Sequence, residues 1–200
     1  MVMAIISMLT ALTVGSVKAI SGHALTSAGN QFVDLAALAR QNSVSKGAYS
    51  AVVIKTLKNG AFSAYCVMEL SRQDDGTFGS WKPITPWRTL PQGVVFAKDG
   101  LPNTAPGFLD ASGSTPKALP SGVAFQGQPV DFSAETVVQV YQPDGTLSAG
   151  QPLRLRLVEG VVNASNSGIT YTHALGGGQP ANYYDIFFLR DTGQTKVERL

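Results

Sequence analysis

The sequence predicts an α+β protein, with one long N-terminal helix packed on an antiparallel β-sheet head. Three observations carry that expectation. No charged side chain occurs before Lys18. From there an apolar residue returns every three or four positions as far as Ala39, which is one stripe on a helix. Beyond Gly47 the apolar period falls toward two, with Asn-Gly and Asp-Gly turns between the runs.

The composition bounds the remainder. A chain of 200 residues suits one domain with an appendage and can bury a core without staples. The net charge is +2 and the 15 Lys and Arg are scattered, so no nucleic-acid footprint is expected. Charged residues are only 14%, against 21 Gly and 11 Pro, which makes the chain turn-rich and weakly charged. Cys66 is the only cysteine. An internal disulfide and a four-cysteine zinc site are therefore impossible, and between Tyr65 and Val67 it reads as a small buried hydrophobe.

Residues 1–17 are apolar with Ser and Thr interruptions, at the short limit for a membrane-spanning helix. Their seven Val, Ile and Leu side chains favour insertion by about 3 kcal/mol. Residues 18–46 form the amphipathic half, with the stripe Ile20, Ala24, Ala28, Phe32, Leu35 and Ala39 predicted to hold the head. No Pro precedes Pro83, so both halves read as one helix of about 65 Å ending near Lys46-Gly47. Gly15, Gly22 and Gly29 weaken a helix but let a neighbour approach closely.

The head spans residues 47–200. Residues 48–57 and 61–70 read as strands around Lys58-Asn59-Gly60, and Asp74-Asp75-Gly76 as the next turn. Pro83 and Pro86 confine residues 81–90 to an edge strand or loop. A short strand is expected at 93–97. Residues 98–132 read mostly as a loop covering the sheet, since Phe108, Leu109, Val123 and Phe125 need burial. Strands are expected at 136–142 and 152–159, around Pro143-Asp144-Gly145. In the second of these, Leu153, Leu155 and Leu157 alternate with Arg154 and Arg156, the pattern of one dry and one wet face. Asn166-Ser167-Gly168 and the LGGG run mark a flexible loop, and a hairpin around Asp191-Thr192-Gly193 closes the chain.

No constellation for catalysis emerges. His23 reads as a solvated helix residue. His173 lies beside Gly176, Gly177 and Gly178, in a segment that lacks both the Gly-x-Ser-x-Gly elbow and the Gly-Lys-Ser/Thr of a phosphate loop; it reads as a mobile, partner-contacting loop. Asp74, Asp75, Asp144 and Asp191 sit in turns for a local backbone reason, without the acidic ladder of a calcium loop. Trp81 and Trp87 read as cover for the sheet edge rather than a stacking platform. Neither an enzyme nor a cofactor or metal site is expected.

The stretch VMAIISMLTALTV resembles the N-terminal helix of the type IV pilin-like superfamily, which includes minor pilins and type II secretion pseudopilins. Val2, Ala4, Ile5, Ile6, Leu9 and Ala11 match that family's run of Val, Ala-Ile-Ile, Leu and Ala. LAALARQNSVSKGAYSAVVI is similar to the helix-to-strand junction of the H-type pseudopilins, through Ala39, Arg40, Ser43 and Lys46. TPWRTLPQGVVFA, VYQPDGTLS and NYYDIFFLRDTGQTKVER resemble, in that order, the cassette protein D group of the Verru_Chthon prepilin-type proteins. The family's basic leader, its Gly and its Phe-Thr-Leu-x-Glu segment have no counterpart here, and Glu69 is the first Glu. The positive-inside rule asks for Lys or Arg before a span oriented this way. The expectation is that translation starts upstream of Met1, or that the chain is a non-assembling relative.

The resemblance implies a structural subunit of the bacterial inner membrane, single-pass, with its head in the periplasm or outside the cell. Val2, Ala4, Ile5, Ile6, Leu9, Ala11 and Leu12 would meet lipid before assembly and other pilin-like subunits in a filament or secretion pseudopilus. Ala4, Ser7, Ala11 and Gly15 would permit close approach. Ile20, Phe32, Leu35 and Ala39 would hold the head. No small-molecule substrate is implied. The competing expectation is a secreted β-rich module with a cleaved signal peptide, binding carbohydrate or peptide through Trp81, Trp87, Tyr183 and Tyr184.

Overall fold

The computed structural model describes residues 2–56, 62–72, 78–97, 124–125, 128–129, 136–147, 154–163, 169–176 and 178–199, and for residues 2–22, 55–56, 62–63, 71–72, 78–80, 124–125, 128–129 and 136–138 the backbone only. One helix, α1 (Val2–Lys46), comes first. It stops where Gly47 adopts a left-handed φ of 59°, a conformation that costs glycine nothing. The Ala48 amide then closes the last turn onto the Ser43 carbonyl at 3.2 Å.

The described strands follow in the order β1 (Tyr49–Thr56), β2 (Phe62–Arg72), β3 (Phe78–Pro83), β4 (Arg88–Thr89), β5 (Val94–Phe96), β6 (Ala124–Phe125), β7 (Gln128–Pro129), β8 (Thr136–Tyr141), β9 (Arg154–Val162), β10 (Ile169–Tyr171), β11 (Ala174–Leu175), β12 (Gln179–Pro180), β13 (Tyr183–Phe188) and β14 (Thr195–Arg199). They pair into two larger antiparallel sheets. The first runs β3-β2-β1-β8 with β4 also on β2, and the second runs β10-β9-β13-β14 with β5 also on β9. The pairs β6–β7 and β11–β12 are separate two-stranded ribbons. The head is therefore built from two sheets rather than the single sheet that the sequence suggested.

The helix is the joint between them. Its buried residues Leu25, Ala28, Phe32, Leu35, Ala36 and Ala39 share one apolar cluster with both sheets. The first sheet contributes Val52, Ile54, Tyr65, Val67 and Tyr141, and the second Val94, Phe96, Leu155, Leu157, Tyr184, Ile186 and Phe188. The Phe32 ring meets Tyr65 edge-on at 5.5 Å and Phe96 at 5.3 Å, so one side chain touches both layers. The period of two places the neighbours of these residues on the outer faces. On the first sheet Ala51, Val53, Cys66, Met68, Leu70, Trp81 and Val140 form a second buried cluster. That sheet is dry on both sides.

The expectation of a wet face on β9 changes at this point. Arg154 and Arg156 do face outward, yet both hold the buried Asp185 on the neighbouring strand, with bonds of 3.1 Å from Arg154 Nε and 2.6 Å from Arg156 Nη2. Asp185 lies directly opposite Arg156 across the ladder, and Phe187 opposite Arg154. The guanidinium of Arg156 stacks 3.8 Å from the centre of the Tyr183 ring. Burial pushes the Asp185 carboxyl above its ordinary value, while the Arg156 hydrogen bonds pull it down. Alternating charge on a strand predicts solvent only when no opposite charge waits on the next strand.

Two further points differ from the sequence reading. The segment after His173 is a ribbon, β11–β12, and an added strand, β10, extends β9. The turns expected at 58–60 and 74–76, the residues 98–123, Leu153 and Gly177 lie outside the described residues.

Candidate functional site

For a chain with no catalytic constellation, the surface of interest is the seam between helix and head and the two ends at which that seam stops. The seam has one close approach. A Cβ on Gly29 would lie 2.5 Å from the Tyr184 ring, so only glycine lets that ring rest on the helix backbone. The Tyr184 hydroxyl then donates to Asn30 Oδ1 at 2.7 Å. Gly29, Asn30 and Tyr184 thus form one device: a gap, a ring that fills it, and an acceptor for the ring's hydroxyl.

At the C-terminal end of the helix the fastening is polar. Arg40 Nε donates to the Thr192 carbonyl at 2.6 Å. Asn42 donates to Ser50 Oγ at 2.8 Å and to Glu69 Oε2 at 2.6 Å, and Lys46 reaches the same Glu69 oxygen at 2.7 Å. Burial alone would raise the Glu69 carboxyl, but the hydrogen bonds from Lys46 and Asn42 outweigh it and hold the group below its usual range. Two turns meet beside this knot. The Leu147 amide bonds to the Arg190 carbonyl at 2.9 Å, and a Cβ on Gly193 would run into the Gly145 carbonyl. Asp144 takes the Thr146 amide at 2.9 Å, the local turn role expected of it.

At the opposite end His173 Nδ1 lies 3.2 Å from Glu159 Oε2. Glu159 is buried, and its other oxygen has no hydrogen-bond partner. The ribbon beyond it carries Leu175, Gly176 and Gly178, all exposed, and the Ala181 amide ties its base to the His173 carbonyl at 2.8 Å.

Among the residues named from the sequence, the structure gathers Phe32, Leu35 and Ala39 in the shared core. The side chains of Val2, Ala4, Ile5, Ile6, Leu9, Ala11, Leu12 and Ile20 lie outside the described ones. His23 is exposed on the helix. Trp81 and Tyr184 are each 2% exposed, so neither offers a face to a sugar or peptide. Burial pushes the Cys66 thiol up to about 12, which makes it a poor nucleophile. Among the described residues no group of three His, Cys, Asp or Glu could hold a metal ion, and no helix is long and apolar enough to cross a membrane. Sequence reading passed over Arg40, Asn42 and Asn30 as partners. Their only signal is a polar residue flanking the apolar stripe, which most helices show.

No protein-family model matches the chain, and no curated protein does. Among solved structures it is similar to two of the minor pseudopilin EpsH from the type II secretion system of Vibrio cholerae. One is 11% identical, with 88% of this chain and 94% of that chain covered and a TM-score of 0.42. The other is 14% identical, covering 87% and 94%, with a TM-score of 0.43.

Proposed function

We propose that this chain is a pilin-like structural subunit, anchored in the bacterial inner membrane by the first part of α1 and assembling with other pilin-like subunits through that same helix. The single observation that supports the reading most is the placement of the head on α1. The helix residues in the shared core begin at Ala24 and Leu25 and end at Ala39, whereas α1 itself begins at Val2. The stretch ahead of the seam carries no charge as far as Val17, which suits lipid or a bundle of like helices. Small residues at positions 4, 7, 11 and 15 would let neighbouring helices close on one another.

Membrane fractionation of cells expressing the full chain tests this, combined with N-terminal sequencing of the mature protein. Retention in the membrane after carbonate extraction, with the apolar stretch intact, is the expected result. A soluble product cut near Ala19 would sink the reading and favour the secreted alternative, although the burial of Trp81 and Tyr184 already removes two of that alternative's four contact residues.

A further inference from the structure

The second sheet buries two carboxylates, and they are answered differently. Among the described residues, Glu159 and Asp185 are the buried acids. Asp185 is held by two guanidinium groups, those of Arg154 and Arg156. Glu159 has one side-chain partner among the described residues, the imidazole of His173, whose Nδ1 lies 3.2 Å from Oε2. Its Oε1 is buried and has no hydrogen-bond partner. The Glu159 side chain is 3% exposed and that of His173 35%. A carboxylate so placed is stable beside a positive charge or with a proton of its own, and costly otherwise. Arginine carries its charge throughout the physiological range, whereas an imidazole loses it there.

The pair sits at a junction. Glu159 follows Leu155 and Leu157 on the face of β9 that meets the shared core, opposite Val94 on β5. Its carbonyl takes the Thr172 amide at 3.0 Å, so the chain leaving β10 stays beside β9. His173 comes next and bonds back to Glu159, and its own carbonyl takes the Ala181 amide at 2.8 Å. Thr172, His173 and Ala181 are thus the root of the β11–β12 ribbon. The imidazole–carboxylate contact is the side-chain bond that fastens this root to the sheet.

Other charged groups stand near, but the described ones do not bond to Glu159. β5 faces it with Val94. On β10, Tyr171 belongs to the opposite face, with Val95 and Val158. On β13, the Tyr184 hydroxyl is taken by Asn30, and Tyr183 lies on the outer face under Arg156. α1 carries His23 and Asp34, both exposed. The strand pairings bring Lys55, Arg88 and Arg199 to this end of the head by register. Arg88 and Arg199 are exposed, and the imidazole remains the cation in contact with the carboxylate.

We propose that Glu159 and His173 form a pH-sensitive clasp on the root of the β11–β12 ribbon, closed while the pair holds a proton and released as that proton is lost. When the clasp is open, both groups are solvated and titrate in their ordinary ranges, about 4.3 for a carboxyl and about 6.5 for an imidazole. Between those values the open and closed forms each hold one proton, and closing does not depend on pH. Above about 6.5 the open form holds none. Closing then takes up a proton, and its equilibrium constant falls about tenfold for each pH unit. Below about 4.3 the open form binds a second proton, and closing weakens again.

Amide hydrogen exchange on the full chain in detergent tests this, read as protection factors at pH 5.5, 7 and 8.5. The Thr172 and Ala181 amides report the root. The Leu147 amide, bonded to the Arg190 carbonyl at the other end of the head, is the reference. Relative to Leu147, protection of the root should fall at least about tenfold between pH 5.5 and 8.5. Glu159→Gln keeps the shape without the charge and should make the profile flat. His173→Gln should be flat above pH 5.5 as well, with protection as low throughout as the parent shows at pH 8.5. His23→Gln, which removes the chain's other histidine, should follow the parent. A flat profile in the parent overturns the clasp, as does a parent-like slope in Glu159→Gln or a slope that vanishes in His23→Gln. Should Glu159→Gln fail to fold in a thermal melt, His173→Gln decides: a slope that survives the loss of the imidazole overturns the proposal.

Discussion

The two ends of the head are fastened to the helix in opposite ways. At the C-terminal end of α1, charged and amide side chains bridge helix and sheets, with Asn42 and Lys46 on Glu69 and Arg40 on the Thr192 carbonyl. At the other end the contacts are a glycine gap and a tyrosine ring. A polar bond to a backbone carbonyl fixes position and rotation. A ring on a smooth backbone, tied by its hydroxyl to Asn30, fixes the helix at a single point. The difference is between an end fastened by several polar bridges and an end fastened by one ring and one hydroxyl bond.

The largest effect belongs to the residues between the ends. Leu35 is buried in the cluster that both sheets share. Leu35→Asp removes its apolar contacts and places an unpaired charge there, so a loss of about 4 kcal/mol or more is expected. Both ends should unfold in one transition, with circular dichroism and amide exchange reporting the same midpoint. Protection that survives at the Glu69 knot after the β9–β13 amides have exchanged would show that the ends are independent, and would break the comparison.

Next comes the glycine gap. Gly29→Val adds a branched side chain where a bare Cβ would already lie 2.5 Å from the Tyr184 ring. The ring must move, the Asn30 bond is lost, and a cost of about 1–3 kcal/mol follows. Restoring space with Gly29→Val/Tyr184→Ala should recover little, because the ring's own burial is lost as well. A Gly29→Val protein that melts with the parent would mean that the seam is looser than its geometry.

The polar knot contributes less. Glu69→Gln keeps the shape and removes the charge that Lys46 and Asn42 share. Lys46 is exposed, so about 1 kcal/mol or less is expected. The pH dependence has a definite sign. The fold holds the Glu69 carboxyl below its ordinary value, so the unfolded chain binds that proton more readily. The pairing is fully present above the unfolded value of about 4.3 and is lost as pH falls through the folded value. Parent and variant should therefore differ in urea midpoint at pH 7 and converge under acid. A gap that persists into strong acid would assign the effect to something other than charge.

Much of this was legible in the sequence, and the part that was not has a common cause. The stripe Ala28, Phe32, Leu35 and Ala39 showed the buried face of α1, because a period near 3.6 is a property of one segment alone. The strands around Pro143-Asp144-Gly145 and Asp191-Thr192-Gly193 showed themselves through their turns. The pairing of Asp185 with Arg154 and Arg156 did not, because it joins residues about thirty apart, and alternating Leu and Arg reads the same whether the Arg faces water or a carboxylate. Division of the head into two sheets was hidden for the same reason: strand order is a non-local choice. Leu25 and Ala36 also escaped. A helix wedged between two sheets buries a wider face than one resting on a single sheet, and a one-residue stripe understates it.

The smallest effect sharpens the comparison most. Val161→Ser and Leu175→Ser alter side chains that are more than half exposed, at the end away from the Glu69 knot. Neither should move the melting midpoint of the detergent-solubilised chain by more than about 1–2 °C, the equivalent of half a kcal/mol in a protein of this size. Glu69→Gln at the far end is expected to exceed them. If Val161→Ser destabilised the soluble fold as much as Gly29→Val does, its exposure would be misleading. That end would then be part of the core's support, and the two ends would differ in fastening without differing in role.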